Sequence, residues 1–245
     1  MDNHRAMEMI GYDASWADHG LDVSEVFGPV YQGEGPFAGR RCHFIRLMRC
    51  NLSCSWCDTP FTWDASRFDL HAESTEMTPL AIADQVADAS LVVISGGEPL
   101  MWQNRHAFVE LIDLIPGAVH VETNGTIHPS GLPIDHYVVS PKVNDQGDPL
   151  KKRIKFEALR SFAALADQGR ASIKIVVRDA DEVHRAADLM DGLQWPHESR
   201  WVMPEGTSAT ALLAHAAAIE EAALTRGLNL SLRQHVLLHG DQRGY

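Results

Sequence analysis

The chain has 245 residues, of which 45% are hydrophobic, 22% charged and 7% aromatic, an ordinary globular composition that excludes disorder, collagen-like repeats and a disulfide-dense miniprotein. At this length a chain buries roughly 70–75% of its unfolded surface and needs no covalent staple. The 33 Asp and Glu against 21 Lys and Arg give a net charge of -12, which excludes a general attraction to nucleic acid or anionic membrane while leaving room for a local basic patch. No apolar run approaches the ~20 residues of a membrane span. The first twenty residues are polar and lack a secretory apolar segment. The expectation is a cytoplasmic protein with no nucleic-acid or membrane partner.

Residues 1–22, rich in Asp, His and Met, read as a poorly ordered or peripheral leader, and 23–245 as one domain. The next stretch, VSEVFGPVYQGEGPFAGRRCHFIRL, predicts a short strand, a glycine-rich loop and a second strand over 42–47. A cysteine loop and a polar insert over 62–77 follow. Helix is predicted over 79–88 and a buried strand over 91–95, where LVVIS is continuously apolar. Phe108, Leu111, Ile112 and Ile115 form one helical stripe. Strands are predicted at 118–122 and 136–140, then a helix carrying Phe156, Leu159 and Ala163. A strand at 172–177, a helix at 180–192 and a strand at 201–204 come next. Leu212, Ala216, Ile219 and Ala223 stripe the longest helix, before a last apolar segment at 228–232. Alternating β and α elements predict a parallel sheet covered by helices. About six such units are too few for an eight-fold barrel, so the predicted architecture is an open or partial (β/α) barrel.

Ligands of parallel sheets gather at the C-terminal ends of the strands. Arg46 with the cysteine loop, SGGEP, ETNG and SPK each follow a predicted strand, so one edge of the sheet collects them. All four cysteines lie within 42–57, and Cys50-x3-Cys54-x2-Cys57 packs three of them tightly. Without an export signal, metal or redox chemistry is the better reading than disulfides. Thiolates suit zinc or an iron–sulfur cluster. A structural zinc needs a fourth ligand, for which Cys42 or a histidine is available. Three ligands on a four-iron cluster instead leave one iron open to a small molecule. Cys42, inside a predicted strand, reads as a small buried hydrophobe.

The cysteine loop, with Trp56 just before the third cysteine, and the SGGEP turn at 95–99 resemble the radical S-adenosylmethionine superfamily. The resemblance implies a partial (β/α)6-type barrel with an abbreviated core. It implies a [4Fe–4S] cluster on Cys50, Cys54 and Cys57, with the amino and carboxylate groups of S-adenosylmethionine on the open iron. One-electron cleavage then yields a 5′-deoxyadenosyl radical, the kind of chemistry a cofactor carries while the protein orients it. The cofactor-binding residues so implied are Trp56, Asp58, Gly96, Gly97, Glu98, Glu122, Ser140 and Lys142, with Glu98 available to accept from the ammonium. Arg46 and Arg49 flank the loop and can tune the cluster, although Arg49 also reads as a solvated surface charge.

Within that superfamily, QGEG at 32–35, Gly39-Arg40, Phe44-Ile45-Arg46-Leu47, Asn51-Leu52 and Cys57-Asp58-Thr59 resemble the 7-carboxy-7-deazaguanine synthases of queuosine and 7-deazapurine biosynthesis. ETNGT at 122–126, SPK at 140–142 and the tail from Leu232 to Gly244 match as well. The implied reaction is a lyase step, conversion of 6-carboxy-5,6,7,8-tetrahydropterin to 7-carboxy-7-deazaguanine and ammonia, with S-adenosylmethionine regenerated. Mg²⁺ is implied at Thr59, whose hydroxyl otherwise reads as a helix cap. The implied substrate residues are Tyr31, Gln32, Gly33, Glu34, Arg46, Ser95, Met203 and His235. Arg46 suits a bidentate hold on the pterin carboxylate. The implied partners are an external one-electron reductant of flavodoxin or ferredoxin type and a second copy in a homodimer. Two alternatives stay open: a glycyl-radical-enzyme activase, and a non-catalytic metal-binding scaffold. The leader and the insert after Trp63 are covered by no motif, and MPEG at 203–206 matches only loosely.

Overall fold

The computed structural model describes residues 20–144 and 147–245. Nine strands form one sheet: β1 (Leu21–Tyr31), β2 (Arg41–Leu47), β3 (Thr75–Met77), β4 (Leu91–Gly96), β5 (Ala118–Thr123), β6 (His136–Val139), β7 (Ala171–Val177), β8 (Arg200–Pro204) and β9 (Asn229–Leu230). Their spatial order is β3-β1-β2-β4-β5-β6-β7-β8-β9. From β2 onward every pair is parallel, whereas β1 pairs antiparallel with β2 and β3. The helices are α1 (Pro79–Gln85), α2 (His106–Leu114), α3 (Leu150–Arg153), α4 (Phe156–Ala166), α5 (Ala180–Gly192), α6 (Ala209–Thr225) and α7 (Gln234–His239).

Each parallel strand is added on the same side of its predecessor. Right-handed crossovers then place the helices on one face of the sheet, and the other face is left as a concave wall. β3 and β9 end the order without pairing to each other, so the barrel is open, as the element count predicts. Strand parity sorts the two faces. Ile45, Ile94, Val121, Val139, Ile173 and Ile175 turn toward the helices and join the main core. The alternate positions Phe44, Arg46, Ser95, Glu122, Val138, Lys174 and Val176 face the concave side, where they line a cavity.

Local chemistry sets the helix starts. Thr78 accepts from Ala81 N, Asp179 from Glu182 N and Ser208 from Ala211 N, three side-chain N-caps that satisfy otherwise orphaned donors. The predicted helix at 180–192 coincides with α5.

Several expectations change. Leu21 and Asp22, assigned to the leader, belong to β1, and Leu21 is fully buried; residues 1–19 of that leader lie outside the described residues. β3 sits inside the insert read as polar loop. Its three residues are strand because β1 pairs with them, Leu21 opposite Met77, and no apolar alternation announces it. Phe156 opens α4 but is exposed, while Leu159 and Ala163 are buried. The last apolar segment keeps only two residues of strand. Among the described residues no helix is long and apolar enough to cross a membrane.

Candidate active site

The C-terminal ends of β2, β4, β5, β6 and β7 open on a cavity of about 240 Å³ lined by Cys50, Cys54, Cys57, Thr59, Gly96, Gly97, Ser140 and Lys142 among others. The cysteine loop is fastened there by backbone. Parallel pairing sets Arg46 beside Ser95 and Leu47 beside Gly96. The zipper continues past the strand ends, with Gly97 N donating to Leu47 O at 3.0 Å and Glu98 N to Arg49 O at 2.8 Å. A Cβ on Gly96, which sits at φ +133°, would collide with the Leu47 carbonyl, and one on Gly97 with that of Arg49. The two glycines are therefore what allows the SGGEP turn to lie against the residues preceding Cys50. Arg49 itself takes φ +72°, an uncommon conformation for a side-chain-bearing residue.

None of the four cysteines is in a disulfide. Leu52 N donates to Cys50 Sγ at 3.4 Å, and the Trp63 indole N–H donates to Cys57 Sγ at 3.3 Å. Asn124 Nδ2 lies 4.0 Å from Cys50 Sγ and donates to Asn51 Oδ1 at 2.8 Å, tying the ETNGT turn to the loop. Burial pushes the Cys50 thiol up to about 11, so binding of a soft metal centre must displace that proton. Among the described residues no three Cys, His, Asp or Glu side chains already converge on one point; the thiols line the cavity wall. The donor set nevertheless fits an iron–sulfur cluster: three soft thiols, N–H donors aimed at two of them, and the glycine cradle beside them. Cys42 does not join them. It packs against Leu91 and Val93 on the strands, and burial pushes its thiol up to about 12. The zinc reading thereby loses Cys42 as a fourth ligand.

Glu98 is tied into the backbone of its own chain. Its carboxylate is fully buried, with Oε1 accepting from Thr123 Oγ1 at 2.7 Å and Leu100 N at 3.0 Å, and Oε2 from Asn124 N at 2.7 Å. It caps the turn after β4 and staples it to the end of β5. Three donors of its own chain hold it in place, two on Oε1 and one on Oε2. Thr59 stands free of any capping role. Although it precedes a 3-10 turn at Pro60–Thr62, its side chain makes no capping bond. Its Oγ1 stands 3.7 Å from Cys57 Sγ on the cavity wall, so the helix-cap reading fails and the hydroxyl is available to a ligand.

A second group of expected residues meets on the opposite wall. Gln32 donates to Glu122 Oε1 at 3.1 Å and accepts from Glu34 N at 3.1 Å, while Ser95 Oγ donates to Glu122 Oε2 at 3.3 Å. Glu34 is the hub of a buried ion network. Lys174 Nζ contacts Oε2, Arg233 Nε donates to Oε1 at 2.8 Å, and His235 Nε2 lies 3.8 Å from Oε1. Arg233 also bonds Asp58 of the cysteine loop and Gly206 O. Burial works against ionisation of Glu34, but Lys174, Arg233 and His235 hold its carboxyl well below the usual range. Burial lowers the His235 imidazole, so that side chain is neutral at pH 7. Gly33 lies directly against His235, where a Cβ would meet the ring.

Arg46 donates Nε to Glu25 at 2.8 Å and sits between the rings of Phe27 and Phe61, which leaves its terminal nitrogens for a ligand. Lys142 donates to Ser140 Oγ at 3.0 Å and lies over the Trp56 ring. Met203 is buried on the cavity wall, and Tyr31 stands exposed at the rim. Arg49 pairs outward with Asp22, more than half exposed, as the surface reading of that residue expects.

Lys174, Arg233, Glu25 and Trp63 line the cavity without having been singled out from sequence. Lys174 had a usable signal: it is the one charge in SIKIVV, two residues from Val176 on the concave parity. The polar insert has a purpose too. Its Glu73 pairs with Arg243 at 2.9 Å, and Arg243 lies 3.5 Å over Phe61, which holds the chain end across the cavity.

Comparison with known proteins agrees with this geometry. Residues 31–129 match the family described as a 4Fe-4S single cluster domain. The chain is 30% identical to the 7-carboxy-7-deazaguanine synthase of Bacillus subtilis over 92% of its own length and 98% of that protein. It is 31% identical to the enzyme of the same name from Pyrobaculum aerophilum, over 91% of its length and 96% of the relative. The crystal structure of QueE from Escherichia coli superimposes with a TM-score of 0.65 and 26% identity, over 88% of this chain and 94% of that one. With the three-thiol loop, the glycine cradle and near-full-length relatives in agreement, the chain belongs to the 7-carboxy-7-deazaguanine synthase family.

Proposed function

We propose that the chain converts 6-carboxy-5,6,7,8-tetrahydropterin to 7-carboxy-7-deazaguanine and ammonia. Cys50, Cys54 and Cys57 hold a [4Fe–4S] cluster, Gly96 and Gly97 admit the methionine end of S-adenosylmethionine, and Thr59 offers a hydroxyl to Mg²⁺. When bound, the cluster and S-adenosylmethionine would supply the one-electron radical chemistry that the ring contraction needs. The observation that carries this reading is the backbone zipper between SGGEP and the cysteine loop, at the mouth of a cavity whose far wall holds Gln32, Glu34, Glu122 and Lys174.

The chain's own residues bind and orient. The free edge of Arg46 faces the cavity between two aromatic rings and is suited to the pterin carboxylate. Glu122, reached by Gln32 and Ser95, presents a carboxylate to an N–H-rich ring edge. Lys142 and Ser140 lie beside Trp56 at the cofactor end. The tail from Gly240 to Tyr245 covers the cavity and helps exclude water, which protects a reactive radical. An external one-electron carrier supplies the electron, and the working unit is a homodimer.

The test is anaerobic reconstitution followed by incubation with 6-carboxytetrahydropterin, S-adenosylmethionine, dithionite and Mg²⁺. The deazapurine is expected to accumulate while S-adenosylmethionine is conserved, and Cys54→Ala to form none. Cleavage of S-adenosylmethionine with no deazapurine would assign the chain to a different radical reaction.

A further inference from the structure

We propose that the exposed face of residues 150–160, on α3 and the start of α4, is the docking surface for a small acidic one-electron carrier protein. It rests on the function proposed above, since it gives the cluster its route to an electron. In a chain of net charge -12, this stretch carries Lys151, Lys152, Arg153, Lys155 and Arg160 against one acid, Glu157. Lys151, Lys152, Lys155 and Arg160 are all exposed. Among the described residues no carboxylate pairs with Lys151, Lys155 or Arg160; Lys152 alone has a partner, Asp148 at 2.6 Å.

Stability does not explain the placement. Lys155 stands at the N-cap of α4 and makes no capping bond, although this position favours Ser, Thr, Asp or Asn and the helix start repels positive charge. Two large apolar side chains, Leu150 at 58% and Phe156 at 54% exposure, stand among the cations. An apolar centre ringed by one sign of charge is the make-up of a protein-docking site.

The face is joined to the cysteine loop by a hydrogen bond and by close backbone packing at Gly147 and Asp148. Ser53 N donates to Asp148 Oδ2 at 2.5 Å, and Gly147 packs so closely on Ser53 and Ser55 that a Cβ would collide with their backbone. Arg153 reaches back to the carbonyls of Lys142 and Val143, so the basic turn is held against both the loop around Cys54 and the cofactor end of the cavity. A carrier seated on it stands next to the thiols that hold the cluster. A positive face on an otherwise negative protein steers an acidic partner to this one orientation.

The experiment follows cluster bleaching by anaerobic stopped-flow in the full-length, reconstituted protein. The wild type and Lys151→Glu/Lys152→Glu/Lys155→Glu are compared with chemically reduced flavodoxin and, separately, with dithionite. The triple variant is expected to be reduced by flavodoxin about tenfold more slowly at low ionic strength, with a flattened salt dependence. Its reduction by dithionite and its iron content are expected to match wild type. Leu150→Ser/Phe156→Ser, which leaves the charges in place, is expected to weaken flavodoxin binding without changing the salt slope. Unchanged flavodoxin kinetics in both variants would overturn the assignment. So would transfer RNA binding that the triple variant loses while its flavodoxin kinetics stay at the wild-type rate, which would make the face a nucleic-acid site. Loss of the dithionite reaction in wild type would instead bring down the function on which the docking face rests.

Discussion

The indole N–H of Trp63 donates to the sulfur of Cys57 across 3.3 Å. A hydrogen bond to a cluster thiolate stabilises the reduced, more negative state and raises the reduction potential. Trp63→Phe keeps the ring and removes the donor. The cluster should still assemble, with its midpoint potential lowered by about 40 mV if the bond is worth ~1 kcal/mol to the reduced state. A redox titration followed by electron paramagnetic resonance checks it; an unchanged potential removes Trp63 from the tuning set.

Glu34 is buried between Lys174, Arg233 and His235. Glu34→Gln leaves the Lys174 and Arg233 cations without this counter-charge and should cost about 3–5 kcal/mol at neutral pH, as expected for a broken buried pair. The carboxyl is depressed in the folded state, so its contribution is complete above the unfolded value near ~4.3 and is lost as pH falls through the lower folded value. Denaturant titrations should show a wild-type advantage at pH 7 that persists at pH 5 and shrinks only below about pH 4. An equal gap at pH 7 and pH 3 would contradict the network.

His120 and His136 are buried side by side against Phe37, and burial lowers both to about 4. Each takes up a proton more readily unfolded, so stability is present above about 6.5 and falls as pH drops toward 4. The loss should approach ~1.4 kcal/mol per pH unit for each histidine. His120→Gln should make that slope visibly shallower in urea titrations between pH 6 and pH 4.5. A slope identical to wild type would show that His120 titrates normally.

Gly97 has the Arg49 carbonyl and the Cys50 amide where a side chain would stand. Gly97→Ala should cost ~1–3 kcal/mol from overpacking and, because the displaced backbone carries Cys50, reduce the iron bound per chain after reconstitution. Full iron content with wild-type stability would mean that the turn yields more easily than its contacts imply.

Local signals made most of the scaffold legible. α5 matched its predicted bounds because Asp179 caps it and its apolar positions keep helical spacing. β3 has no sequence signal because Thr75, Glu76 and Met77 become a strand only when β1 lies beside them. In the site, the cysteine loop and glycine turn were readable as motifs, and strand order brings them together. The staple that Glu98 makes to Thr123 and Asn124, about 25 residues on, is shown by no local pattern. Arg233 was overlooked because its partners, Glu34 and Asp58, lie 199 and 175 residues away.

Electron paramagnetic resonance of the reconstituted, dithionite-reduced protein, recorded with and without S-adenosylmethionine, goes most directly to the three-thiol centre. A [4Fe–4S] signal that changes shape when S-adenosylmethionine is added, and is absent from Cys54→Ala, is the predicted result. A protein that binds one zinc ion and yields no such signal would contradict it.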